Sequence, residues 1–133
     1  MESFVQANCD TKFDAVVASE VIEHVENPQA FVATCSSLVE DGGSLFFTTI
    51  NRTQRSYLGA ILAAEYVLRL LPAGTHDWNK FVTTQELESM IKASGYNFRV
   101  RLVHGMFYIP FVNRWTWIPD TGVNYALHAV KTN

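Results

Sequence analysis

Residues 13–25 read FDAVVASEVIEHV, a nearly continuous apolar run that passes at once into two acids and a histidine. Over residues 13–19, Val16 and Val17 sit among alanines with little polar alternation, the pattern of a strand buried on both faces of a parallel sheet. A helix starting just after Ser19 would place Glu20, Glu23 and His24 at i, i+3 and i+4, on one face. The carboxyl end of a strand is where open α/β sheets hold their ligands.

Working outward, Asn27-Pro28 offers a helix cap followed by a first-turn proline, and Phe31, Val32, Cys35 and Leu38 then fall on one side at helical spacing. Asp41-Gly42-Gly43 is expected to stop that helix, and residues 44–50 read as a second buried strand. A helical stretch is expected over residues 56–71. Thr83-Thr84-Gln85-Glu86 then forms a capping box for a helix ending near Gly95. Residues 97–103 and 124–131 look like strands that pair antiparallel at a sheet edge, the latter alternating Tyr125, Leu127 and Ala129 against Ala126, His128 and Val130. This order predicts an α/β fold, a Rossmann-like sheet with antiparallel last strands in one domain over residues 1–133. No GxGxxG turn occurs, since the adjacent glycines Gly42 and Gly43 follow a helix.

The formal charge of −3, with ten scattered Lys and Arg residues, leaves no basic stripe and argues against nucleic acid as a partner. Cys9 and Cys35 lack CxxC spacing, and the opening MESFVQANCD has neither a signal-peptide core nor an Arg-rich transit pattern, so free thiols in a reducing compartment are expected.

Two carboxylates and an imidazole can hold a divalent cation, with water or substrate oxygens completing an octahedron. The same acids would also suit the dipole of a helix's first turn, with His24 making a core contact, and spacing leaves both open. The stretch SYLGAILAAEYVLRLL, residues 56–71, is apolar around much of its circumference, with Glu65 and Arg69 as a small charged patch. It falls short of the ~20 apolar residues of a spanning helix. It could lie on a membrane surface, where Arg52, Arg55 and Arg69 would meet lipid phosphates, or pack against its own domain or a partner. Phe107, Tyr108, Phe111, Trp115 and Trp117 could line an apolar slot or serve as ordinary lid packing. His76, beside Asp77, is a candidate general base or a loop histidine with local hydrogen bonds.

FDAVVASEVIEHV, GGSLFFTTINRT, AAEYVLRLLPAGTHDWNKFV and NRWTWIPDTGVNYALHAVK together resemble the ubiquinone-biosynthesis O-methyltransferase family over about residues 13–131. The strand and GG pattern is common to many methyltransferases, whereas GTHDW and NYALHAVK are more particular. The resemblance implies the C-terminal portion of a class I fold that uses S-adenosylmethionine, with methyl transfer to hydroxyls of polyprenylated catechol and demethylubiquinol intermediates. It also implies a divalent metal, magnesium, at Glu20, Glu23 and His24, with Ser19 at the cofactor edge. The family's glycine-rich cofactor loop and ribose-binding acid would precede Met1. Further expectations are membrane contact through residues 52–80, other ubiquinone-biosynthesis proteins as partners, and a place on the matrix side of the mitochondrial inner membrane or in a bacterial cytoplasm. The competing expectation is a noncatalytic module that binds membrane or partner through residues 56–71.

Overall fold

The computed structural model describes residues 11–56 and 78–133 of the chain. The apolar run forms strand β1, Phe13–Ser19, but the helix expected directly after it does not form: the chain makes a bend and then a short 3-10 turn, Ile22–His24. Asn27 caps helix α1, Pro28–Leu38, its side-chain oxygen accepting from the Ala30 amide at 3.0 Å, and Pro28 occupies the first turn, where a missing N–H is harmless. Val32, Cys35 and Leu38 turn inward, and Phe31 is half-buried beside them.

Asp41-Gly42-Gly43 is not the stop that composition predicts. Helix α1 ends at Leu38, and strand β2, Val39–Ile50, runs through the glycines. The pairing with β1 jumps from Phe13↔Val39 to Ala15↔Ser44, so the extra residues bulge, with Gly42 in the left-handed region at φ 83°. A Cβ on Gly43 would sit 2.9 Å from the Asp14 carbonyl oxygen, which is why the second glycine is needed beside β1.

The capping box forms as expected. Thr83 Oγ1 accepts from the Glu86 amide at 3.2 Å and the Thr83 amide donates to Glu86 Oε2 at 2.8 Å, opening helix α2, Thr84–Lys92. Burial acts to raise the Glu86 carboxyl, but the Thr83 amide and hydroxyl and the Arg52 guanidinium outweigh it and hold the group below the usual carboxylate range. A depressed folded value contributes stability above the unfolded pKa and loses it as pH falls through the folded one. Thr83→Ala should therefore cost about 1 kcal/mol at neutral pH, and a urea titration series should show that difference shrinking as acid protonates Glu86.

Strands β3, Phe98–Ile109, β4, Arg114–Ile118, and β5, Asn124–Lys131, complete a sheet of order β1-β2-β5-β3-β4. Strands β1 and β2 are parallel and every other pair is antiparallel. The α/β class and the antiparallel end are as predicted, but β5 lies inside the sheet between β2 and β3 instead of at its edge. The edge at the antiparallel end is β4, formed where the aromatic segment folds back on a longer β3.

Helices α1 and α2 cover one face only. Val32, Cys35, Leu87 and Ile91 pack there on Leu45, Phe47, Tyr125, Leu127 and Ala129, whose two-residue spacing puts them all on the same side. Burial pushes the Cys35 thiol up to about 11, making it a core residue with little thiolate at neutral pH. The opposite face exposes Val17, Leu102 and Trp117. Among the described residues no helix is long and apolar enough to cross a membrane. The helix expected at 56–71 lies, after Ser56, outside the described residues, as does His76.

Candidate functional site

The parallel pair ends at Ser19 on β1 and Thr48 on β2, which are register partners. Their hydroxyls lie 2.8 Å apart, and Thr48 Oγ1 donates to Glu20 Oε1 at 2.8 Å. Thr48 has one hydroxyl proton and gives it to a carboxylate, so Ser19 must be the donor in the other bond. The result is a directed relay, Ser19 to Thr48 to Glu20, exposed at the carboxyl ends of two parallel strands. Glu20 has φ 52°, a conformation that costs a non-glycine residue energy, and its amide is fixed to the Thr48 carbonyl at 2.9 Å.

Glu23 is placed differently. It is 3 % exposed, and its Oε2 accepts from Thr49 Oγ1 at 2.8 Å. Thr48 and Thr49 are consecutive in an extended strand, so their side chains leave on opposite faces. Thr48 borders the bare face and Thr49 is fully buried. Glu20 and Glu23 are consequently tied to opposite sides of the sheet end, while His24 is exposed on the 3-10 turn. Among the described residues no group of three His, Cys, Asp or Glu side chains could hold a metal ion. The helix expected to align Glu20, Glu23 and His24 is absent, and the described residues do not bring the three side chains together. Magnesium titration of the wild-type chain and of Glu23→Gln tests the metal expectation: a rise in Tm lost only in the variant would support Glu23 as a ligand, and equal shifts in the two would count against it.

Behind the relay, Tyr125 is fully buried and its hydroxyl donates to the Val82 carbonyl at 3.0 Å. Burial, followed by the Glu86, Glu23, Glu20 and Glu88 carboxylates, drives its pKa far above the ordinary phenol value, so it stays protonated and is no base. Asn51, 7 % exposed, donates from Nδ2 to the Thr121 carbonyl and from its backbone to the Val123 carbonyl, both at 2.9 Å, and Thr53 bonds the Gly122 carbonyl. The β4–β5 loop is thereby pinned to the end of β2.

The aromatic segment does not make one slot. Met106↔Trp117 and Tyr108↔Trp115 share the bare face, whereas Phe107 is turned the other way and Phe111 is 99 % exposed at the turn. Only Trp117 of the five borders the groove of about 600 Å³ on that face, together with Val17, Phe46, Leu102 and His104. Arg52, expected to meet lipid, pairs with Glu86. Thr48, Thr49 and Asn51 escaped the sequence reading; the signal was hydroxyls and an amide at the end of an apolar strand, TTIN.

A family model described as a methyltransferase domain matches residues 2–100. A mitochondrial ubiquinone biosynthesis O-methyltransferase of Rattus norvegicus is 48 % identical over 119 residues, covering 90 % of this chain and 34 % of the relative. Its Acinetobacter baumannii (strain AYE) counterpart is 44 % identical over 121 residues, covering 91 % of this chain and 50 % of the relative. The chain thus spans a third to a half of the length of these relatives. Among solved structures, a SAM-dependent methyltransferase from Archaeoglobus fulgidus superposes with a TM-score of 0.60 at 16 % identity, over 97 % of this chain and 64 % of that one. A SAM-dependent methyltransferase from Thermotoga maritima, a possible histamine N-methyltransferase, gives 0.59 at 19 % identity, over 91 % and 56 %. At such identities the likeness concerns the fold alone.

Proposed function

Because the chain belongs to the methyltransferase-domain family, whose model spans most of its length, we propose that it serves S-adenosylmethionine-dependent methyl transfer to a hydroxyl of a polyprenylated catechol or demethylubiquinol. The supporting observation is the Ser19–Thr48–Glu20 relay at the carboxyl ends of the parallel pair. The names of the relatives, which concern ubiquinone biosynthesis, favour the quinol substrate class.

S-adenosylmethionine, when bound, supplies a positively charged sulfonium carrying a transferable methyl group. The donor set fits such a group: an exposed carboxylate complements the cation, and the Ser19 hydroxyl stands at the strand end where ligands of α/β sheets lie. A phenolic oxygen gaining a methyl must lose its proton, and Glu20 accepts it. The left-handed backbone and the bond to Thr48 hold that carboxylate in place, and the Ser19 hydroxyl orients Thr48 in turn, so the geometry is set before the acceptor arrives. Glu23, buried against Thr49, supports the turn that carries Glu20 and does not meet the acceptor. No step is assigned to a metal.

The membrane contact through residues 52–80 and the mitochondrial inner-membrane or bacterial setting belong to the same proposal; both a mitochondrial and a bacterial relative are compatible with it. The test is calorimetry with S-adenosylmethionine, followed by mass spectrometry of a prenylated catechol after incubation with the chain, alone and supplemented with the part of the Acinetobacter baumannii relative outside the match. A methyl ether is the expected product. Binding to liposomes with no cofactor affinity in either sample would favour the noncatalytic module.

A further inference from the structure

We propose that the outer edge of strand β4 is a pairing surface for a second copy of this chain, joined antiparallel about a two-fold axis at Thr116. The pairing does not rest on the methyl-transfer reading, because β3 and β5 stand between that edge and the Ser19–Thr48–Glu20 relay.

Strand β4, RWTWI, is outermost at the antiparallel end of the sheet, and among the described residues it pairs with β3 alone. A strand in that position normally carries a lysine, a proline or an inward-pointing charge that discourages addition of another strand. Residues 115–118 carry none of these, and Trp115 and Trp117 are 62 % and 64 % exposed on one face. Large aromatic side chains left open beside unpaired backbone groups mark an interaction surface.

The register says which backbone groups face outward. The Met106 amide donates to Asn124 Oδ1 at 2.9 Å, so it points toward β5. Backbone groups alternate sides along an extended strand, and Gly105, Phe107 and Ile109 therefore turn theirs to β4, where they meet Ile118, Thr116 and Arg114. The N–H and C=O groups of Trp115 and Trp117 are the ones directed away from the sheet.

These outward groups are self-complementary. Setting Thr116 opposite Thr116 of the second copy brings each Trp115 opposite Trp117 of the other, and every such pair satisfies both of its N–H and both of its C=O groups. The same register lays the tryptophans beside one another as aromatic cross-strand pairs on one face and brings the two Thr116 side chains together on the other, beside the exposed Phe107. Arg114 falls opposite Ile118 and not opposite its own copy, so no like charges meet across the axis. An axis at Trp115 or at Trp117 would set the other tryptophan opposite Asn113 or Trp115 opposite Pro119, and the aromatic pairing would be lost. A contact built on five residues is smaller than the roughly 20–30 residues a side of a standard complex, so the pairing is weak and depends on concentration.

The experiment is sedimentation equilibrium of the 133-residue chain up to about 100 μM, a range that covers weak pairing, with amide exchange followed at both ends of the range. A monomer–dimer equilibrium is expected, in which the Trp115 and Trp117 amides exchange about tenfold more slowly at the high end while the Thr116 amide, which faces β3, does not change. Thr116→Lys sets two ammonium groups against each other at the axis and Thr116→Glu two carboxylates, and each should weaken pairing at least about tenfold. An equimolar mixture of the two folded variants should restore it, which a folding defect would not do. Val17→Lys, on the far edge strand β1, should pair as wild type does. The proposal is overturned if the chain stays monomeric, if it associates without protection of Trp115 and Trp117, if Thr116→Lys pairs as tightly as wild type, or if the mixed variants do not re-form the dimer. Loss of pairing in Val17→Lys would move the contact to the other edge, and protection of Trp115 and Trp117 that arises only with phosphatidylcholine vesicles would make the edge a lipid contact; either result overturns it equally.

Discussion

Glu20→Gln is expected to slow methyl transfer by about 10²- to 10⁴-fold, the usual worth of a positioned proton acceptor. Glutamine keeps the length of the side chain and an oxygen that can accept from Thr48, so the relay geometry survives while proton acceptance is lost. Because Glu20 is exposed, the variant should unfold within about 0.5 kcal/mol of wild type, as most surface substitutions do. The comparison that isolates the proton is kcat against the KM for the phenolic acceptor, because the same carboxylate also complements the sulfonium and its loss weakens donor binding. Ser19→Ala, which removes the far end of the relay but no proton acceptor, should cost less.

Phe47→Ala is expected to be the most damaging single change to the fold, at about 3–5 kcal/mol, out of a total of roughly 5–15 kcal/mol for an ordinary domain. Phe47 is fully buried at the middle of β2, pairs with Leu127 on β5 and Ala18 on β1, and meets the Phe31 ring of α1 edge-on at 6.4 Å. Truncation would open a cavity where the helix layer meets the sheet, and the neighbours that would have to close it are held in ladders on both sides. Phe46, its neighbour on the bare face and stacked on His128 at 4.3 Å, should cost less as alanine, because solvent already reaches that side. Equal losses at the two positions, measured by urea denaturation, would contradict the one-sided layering.

Elements governed by neighbours in sequence were legible in advance. Asn27-Pro28 and the Thr83–Glu86 box act within one turn, and β5 shows its inward Tyr125, Leu127 and Ala129 by simple alternation. What depended on distant partners was not. The glycines at 42 and 43 signal a turn by composition, yet β1 beside them makes a bulged strand. The aromatic segment becomes β4 only because β3 is long enough to pair with it. The helix expected after Ser19 failed for the same reason: Glu20, Glu23 and His24 have helical spacing, but which face each acid serves is decided by Thr48 and Thr49, more than twenty residues away in the chain.

The most direct measurement is a single-turnover reaction with S-adenosylmethionine labelled with carbon-13 in its methyl group and a prenylated catechol, in wild type and Glu20→Gln, followed by NMR. The label should appear as an aryl methyl ether with the wild-type site and at least about a hundredfold more slowly with the variant. Equal rates in the two, or label on an atom other than the hydroxyl oxygen, would contradict the assignment of Glu20 as the group that takes the proton.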